Sequence, residues 1–245
     1  MKVILTGVTG FIGSEVLTQC LCDPTITSVV ALSRRPLLAD ITKDPKVSVV
    51  IMEDFTVYSE EVISKMEGAD ACIWATGTRE ALETETTYPL AFCNAIALSV
   101  ARQKKPFRYI HLSGILAEKD QSKCLLFLQK YRHVKGRAEL SVLDFQSNEA
   151  KLRGGYWQSF IVKPSMVLPK KGEKSDLRWL GSVFIGSVDV DELAAAMIDI
   201  GRNGSEEQIF NNAECVMRGR AALDMERERA GKGWNIREKG GWGLW

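Results

Sequence analysis

Long apolar runs, paired cysteines and histidine are scarce in this chain, and each scarcity excludes something. No apolar stretch approaches the roughly 18 residues that cross a bilayer, so neither a span nor a membrane partner is expected. A glycine-rich turn begins at Gly7, too close to Met1 to leave room for a secretory leader, and the cytosol is the expected compartment. Cys20, Cys22, Cys72, Cys93, Cys124 and Cys215 form no C-x-x-C pair, which reads as reduced thiols. His111 and His133 are the two histidines, and with no Cys/His cluster a zinc site is not expected. Charge of either sign is also in short excess. Lys and Arg number 32 against 31 Asp and Glu, and the net +1 gives no long-range field for nucleic acid.

What is present suits a globular α/β chain. The 245 residues, 45% hydrophobic and 26% charged, are enough for one domain with a large core. Strand-like and helix-like segments alternate through the first two thirds, the pattern of a parallel sheet covered on both faces. Strands are expected at 3–5, 28–32, 47–52, 71–75, 108–112 and 160–163, with a late short one at 208–210. Helices are expected at 15–21, 60–66, 90–103, 125–145 and 188–200, with Pro106 ending the third. Right-handed crossovers then give a Rossmann-type doubly wound sheet over residues 1–216, with a small substrate-side segment after the sixth strand. From Met217 no apolar period organises the chain, and residues 217–245 are expected to be poorly ordered, with Trp234, Trp242 and Trp245 free to dock elsewhere.

The strongest motif is Thr6-Gly7-Val8-Thr9-Gly10-Phe11-Ile12-Gly13, set between the first strand and the first helix. In that context the first glycine allows the turn, the second admits a pyrophosphate and the third lets helix and strand approach. Free N–H groups and the positive helix end then face the phosphates. The second strand ends in Ser33-Arg34-Arg35-Pro36 with no carboxylate, so the pair of guanidiniums favours NADP(H) over NAD(H). Asp54 after the third strand, and Ala75-Thr76-Gly77 after the fourth, lie where an open parallel sheet binds ligands; Asp54 is a candidate for the adenine and Gly77 for the ribose. A loop carboxylate and a turn glycine explain both equally well.

Tyr131 and Lys135 are four apart on a helix and share a face. An ammonium beside a phenol favours the ionised form, so such a tyrosine can give a proton to a carbonyl or take one from an alcohol. Ser113, after the fifth strand, is placed to hydrogen-bond the same oxygen. Packing of Tyr131 with Phe127, Val134 and Ala138 is the competing reading. His133 points away from that face and is expected to be exposed, and Asn94 is a weak candidate for holding a relay water. Trp179 and Phe184, between Ser165 and Ser187, suggest an apolar pocket or ordinary core.

Taken in order, the glycine turn, Ala75-Thr76-Gly77, Leu112-Ser113-Gly114, Tyr131 to Gly136, Lys163-Pro164-Ser165 and Val188 to Ala194 resemble the short-chain dehydrogenases/reductases. The likeness is to their extended or atypical branch, with a turn similar to that of nucleoside-diphosphate-sugar epimerases, over residues 1–213. It implies pyrophosphate contacts from Gly7, Gly10, Ile12 and Gly13, together with Thr9 and Phe11 of the same turn. It implies NADP selection by Arg34 and Arg35, and nicotinamide neighbours at Pro164 and Ser165. Ser113, Tyr131 and Lys135 become the catalytic set, with Lys135 also on the nicotinamide ribose. The chain is short after the sixth strand, which argues against a nucleotide-sugar substrate. Short proteins of fungal secondary-metabolite clusters resemble it, and by that analogy the substrate is a small, apolar carbonyl or alcohol. A redox-neutral epimerase, isomerase or dehydratase, and a non-catalytic dinucleotide-binding regulator, are the alternatives. A homodimer through helices 90–103 and 125–145 is a further expectation by analogy.

Overall fold

The structure is a computed structural model, and it describes residues 1–77, 82–170 and 186–231. Its frame is a seven-stranded parallel sheet of β1 (Lys2–Thr6), β2 (Ser28–Ser33), β3 (Val47–Ile51), β4 (Ala71–Trp74), β5 (Phe107–Leu112), β6 (Trp157–Val162) and β9 (Ile209–Phe210). The spatial order is β3-β2-β1-β4-β5-β6-β9, so the order reverses between β1 and β4 and opens a crevice at their carboxyl ends. β7 (Met166–Leu168) and β8 (Ser187–Asp189) pair in parallel as a separate two-stranded ribbon, the described part of the expected small segment. Residues 171–185, with Trp179 and Phe184, lie outside the described residues.

Both faces of the sheet are covered, as near-continuous apolar strands require. On one face α1 (Phe11–Cys22) and α6 (Val190–Asn203) bury Val16, Leu17, Leu193 and Met197 against Val3, Leu5 and Ile110. On the other, α3 (Glu60–Met66), α4 (Leu82–Gln103) and α5 (Gln129–Arg153) bury Met66, Phe92, Ile96 and Val142 against Ile4, Cys72, Trp74 and Tyr109. The single turn α2 (Ala39–Thr42) lies between β2 and β3.

The helix expected at 125–145 runs instead from Gln129 to Arg153, because Leu128 before it is left-handed, and three further expectations change. The helix expected from Leu90 begins at Leu82 and carries a buried Pro89 inside it, which removes one N–H from its backbone ladder. The strand expected at 160–163 starts at Trp157, whose ring is buried against Phe107 and Phe145. The reading of weak order from Met217 is corrected as far as Gly231: α7 (Asn212–Gly231) is continuous there. It docks without an apolar stripe. Gly219 brings its backbone so close to α6 that an added Cβ would stand 1.9 Å from the Glu192 carbonyl oxygen. Arg218 Nε donates to Asp199 Oδ2 at 2.6 Å and Arg220 Nε to Glu192 Oε1 at 2.8 Å. Residues 232–245, with Trp234, Trp242 and Trp245, lie outside the described residues.

Candidate active site

The crevice is built first from glycine. Gly7 has φ +70°, and a Cβ there would lie 2.5 Å from the Ala75 carbonyl oxygen, so only glycine lets the turn after β1 pass the end of β4. A Cβ on Gly13 would lie 2.1 Å from the Gly7 carbonyl oxygen, which is the close helix–turn approach expected of the third glycine. Gly10 N donates to Gly7 O at 2.8 Å and closes the turn, while Gly10 O accepts from Ser14 N at 2.9 Å as the N-cap of α1. No side chain caps that helix, so its first-turn N–H groups remain available to an anion. Thr6 Oγ1 accepts from Ala75 N and Thr76 N, both at 3.2 Å, and ties the two strand ends together. Thr9 and Phe11 are exposed at the rim and Ile12 is half-buried. A glycine-walled, uncapped turn of this kind fits a dinucleotide pyrophosphate.

The outer half of the crevice lies past β2 and β3. Ser33 Oγ donates to Arg35 O at 2.7 Å and accepts from Arg35 N at 3.2 Å, which shapes the turn and leaves both guanidiniums exposed. Among the described residues neither arginine has an ion-pair partner. Asp54 is exposed, and its Oδ1 accepts from Thr56 N at 2.7 Å. That amide, then the Thr56 side chain, holds the carboxyl below its usual range. Phe55, next to it, is buried, stacked on Tyr88 and edge-on to Trp74.

The inner half contains the charged groups. Lys135 is buried, and its Nζ lies 2.7 Å from Oε2 of the equally buried Glu85 on α4. The pair stands directly against Gly77: a Cβ on that glycine would lie 2.8 Å from Glu85 Oε1 and 3.2 Å from Lys135 Nζ. Tyr131, half-buried, is one turn earlier on α5, its ring centroid 6.0 Å from the ammonium. His111 is buried nearby; desolvation and then the Lys135 charge lower its pKa to about 3, so it is neutral. One turn beyond Lys135 on the same face, Glu139 is fully buried and accepts the Ser113 Oγ proton at 2.6 Å. Lys163 Nζ lies 2.9 Å from the same Glu139 Oε1, and Lys119 Nζ 3.7 Å from Oε2.

Two of the expected catalytic residues therefore have partners that were not foreseen. Ser113 Oγ donates its hydrogen bond to Glu139, and Lys135 holds Glu85 while lying over the Tyr131 ring. Glu139 was legible as the next turn of the Tyr131–Lys135 face; Glu85 had no local signal. Pro164 is buried, its carbonyl accepting from Ile115 N at 3.0 Å. Ser165 N donates to Asn212 Oδ1 at 2.9 Å, and its buried Oγ has no hydrogen-bond partner among the described residues. His133 is buried rather than exposed, because its face packs on the loop before α5, where Gln121 Nε2 donates to its carbonyl at 3.1 Å. Asn94 is exposed and donates to Leu90 O at 2.9 Å, turned to solvent and away from any relay.

Comparison with known proteins agrees with this geometry. Residues 7–203 match the model of an NAD(P)H-binding family. Leucinostatins biosynthesis cluster protein T of Purpureocillium lilacinum is 30% identical over 185 residues, 68% of this chain and 65% of that protein, just short of two thirds of its length. Protein fmp52-1, mitochondrial, of Aspergillus terreus is 24% identical over 231 residues, 88% of this chain and 93% of its own. Among solved structures, yeast methylglyoxal/isovaleraldehyde reductase Gre2 complexed with NADPH superposes with a TM-score of 0.62 at 16% identity, over 86% of this chain and 78% of that one. The uncapped glycine turn at the β1/β4 switch point and the match over residues 7–203 agree: the chain belongs to the NAD(P)H-binding family, built on the Rossmann fold of the short-chain dehydrogenases and reductases.

Proposed function

We propose that the protein is an NADP(H)-dependent oxidoreductase that interconverts a carbonyl and an alcohol on a small, apolar metabolite. The observation that carries this reading is the placement of Lys135. Its buried ammonium stands against Gly77 at the end of β4, with the Tyr131 ring one turn away, so a cation and a phenol share the inner wall of the dinucleotide crevice. Bound nicotinamide supplies or accepts the hydride. The chain's own residues do the rest. The turn from Gly7 to Gly13 and the first N–H groups of α1 hold the pyrophosphate, and Arg34 and Arg35 take the 2′-phosphate. Asp54 stands on the adenine side, Ala75, Thr76 and Gly77 border the ribose, and Pro164 and Ser165 line the nicotinamide end. Tyr131 gives its proton to the carbonyl oxygen on reduction and takes it back on oxidation, with Lys135 on the ribose beside it. Ser113, whose hydroxyl donates to Glu139, presents its oxygen lone pairs as an acceptor and orients a hydrogen-bond donor of the substrate.

The name of the biosynthesis-cluster relative supports a place in fungal secondary metabolism, and the aldehyde and ketoaldehyde in the name of the yeast reductase support a small carbonyl. Leu98 on α4 and Leu140 and Leu152 on α5 are exposed, which supports a homodimer through those helices. The proposed compartment is the cytosol, whereas the fmp52 names say mitochondrial; fractionation of tagged full-length protein separates the two. Among the described residues no helix is long and apolar enough to cross a membrane.

The test is NADPH consumption over a panel of small aldehydes and ketones, by wild type and Tyr131→Phe. Loss of roughly 10²- to 10⁴-fold in turnover is expected for the variant, the usual worth of a positioned proton donor. Near-wild-type turnover overturns the mechanism, and product formed without net NADPH change moves the reading to redox-neutral chemistry.

A further inference from the structure

The segment before α5 turns three large apolar side chains into water. Leu126 is 103% exposed, Phe127 55% and Leu128 59%, and Ile115 beside the same loop is 42% exposed. The segment is held in place by its own bonds. Leu125 N donates to Gln129 Oε1 at 3.0 Å, Arg132 N to Leu128 O at 2.9 Å, and Arg132 Nε to Leu116 O at 2.9 Å. The Arg132 guanidinium stacks 5.2 Å from the Phe127 ring. Leu128 adopts φ 49°, ψ 29°, a left-handed conformation that costs a leucine energy and that local packing among the described residues does not repay by burial.

Charge around this tip is one-sided in a chain that is otherwise balanced. Residues 118–137 contain Lys119, Lys123, Lys130, Arg132, Lys135 and Arg137 against Glu118 and Asp120 only. Lys135 is spent on Glu85, Lys123 pairs with Glu118 at 2.9 Å and Lys119 lies 3.7 Å from Glu139, but Lys130 is exposed with no ion-pair partner among the described residues. An apolar point flanked by Lys130 and Arg132 is complementary to an anionic bilayer surface, where leucine and phenylalanine enter the acyl boundary and lysine and arginine stay with the headgroups.

We propose that Leu126, Phe127 and Leu128, with Lys130 and Arg132, form a docking tip for anionic lipid surfaces, without any segment that spans the bilayer. Tyr131 lies between Lys130 and Arg132, so docking sets the inner wall of the crevice beside the lipid, a route by which an apolar substrate reaches it. The docking itself does not depend on the proposed reaction.

The test is co-sedimentation of the full chain with vesicles of phosphatidylcholine alone and of phosphatidylcholine mixed with phosphatidylserine. Binding is expected to the anionic vesicles, weakened by salt, and to fall by roughly tenfold or more in Phe127→Asp, the loss of one buried large side chain. Leu126→Gln, at a fully exposed position, provides a second variant; circular dichroism and the thermal midpoint verify that each is folded. No binding to anionic vesicles overturns the proposal, as does binding that both tip variants retain. Light scattering that shows a dimer broken by the same variants overturns it too and assigns the tip to a second copy of the chain.

Discussion

His111 contributes a pH dependence that follows from where it lies. Burial first, and the Lys135 charge second, lower its pKa from 6.5 to about 3 in the folded protein. The unfolded chain therefore binds the proton more readily than the folded one across that interval. Stability from this group is complete above pH 6.5 and is lost as the pH falls toward about 3, at up to about 1.4 kcal/mol per pH unit. Denaturant midpoints from pH 7 to 4 should fall less steeply for His111→Leu than for wild type; equal slopes would show that His111 is not the source. At this scale the sequence was informative where chemistry is local. Gly7, Gly10 and Gly13 declare a turn that must clear backbone, and the Tyr131, Lys135, Glu139 spacing follows from helical period alone. The partners of those side chains were not legible, since Glu85 and Lys163 come from other elements and meet α5 only across the crevice.

Most elements could be read from apolar period and turn chemistry, and the exceptions share a cause. α4 runs through Pro89 and α7 docks through a glycine and arginine–carboxylate pairs, so neither displays the signal that period-based reading relies on. α7 makes the sharper test. Gly219→Ala would put a methyl 1.9 Å from the Glu192 carbonyl oxygen, which forces α7 off α6 or shifts both backbones. A loss of about 1–3 kcal/mol in unfolding free energy is expected. Gly114→Ala, where an added Cβ meets nothing within 4 Å, is the control and should be near neutral. Equal stability of the two variants would show that the α6–α7 approach relaxes without cost.

For the molecule as a whole, dinucleotide binding should appear as stability. A ligand that binds only the folded chain adds about 2.7 kcal/mol at a hundred times its dissociation constant. NADPH is expected to raise the thermal midpoint more than NADH at equal concentration, and Arg34→Ala/Arg35→Ala to abolish the difference while leaving the NADH response in place. An equal response to both cofactors in wild type would remove the arginines from selection. The alternation of buried strands with helices, the glycine turn and the absence of an acidic residue after β2 were properties of the sequence by itself, because each depends on residues a few positions apart. Tertiary structure alone decided the strand order that opens the crevice between β1 and β4, the pairing of Lys135 with Glu85 and of Ser113 with Glu139, and the docking of α7. Those depend on which faces pack across the sheet, and buried charges meet only after that packing has removed water from between them.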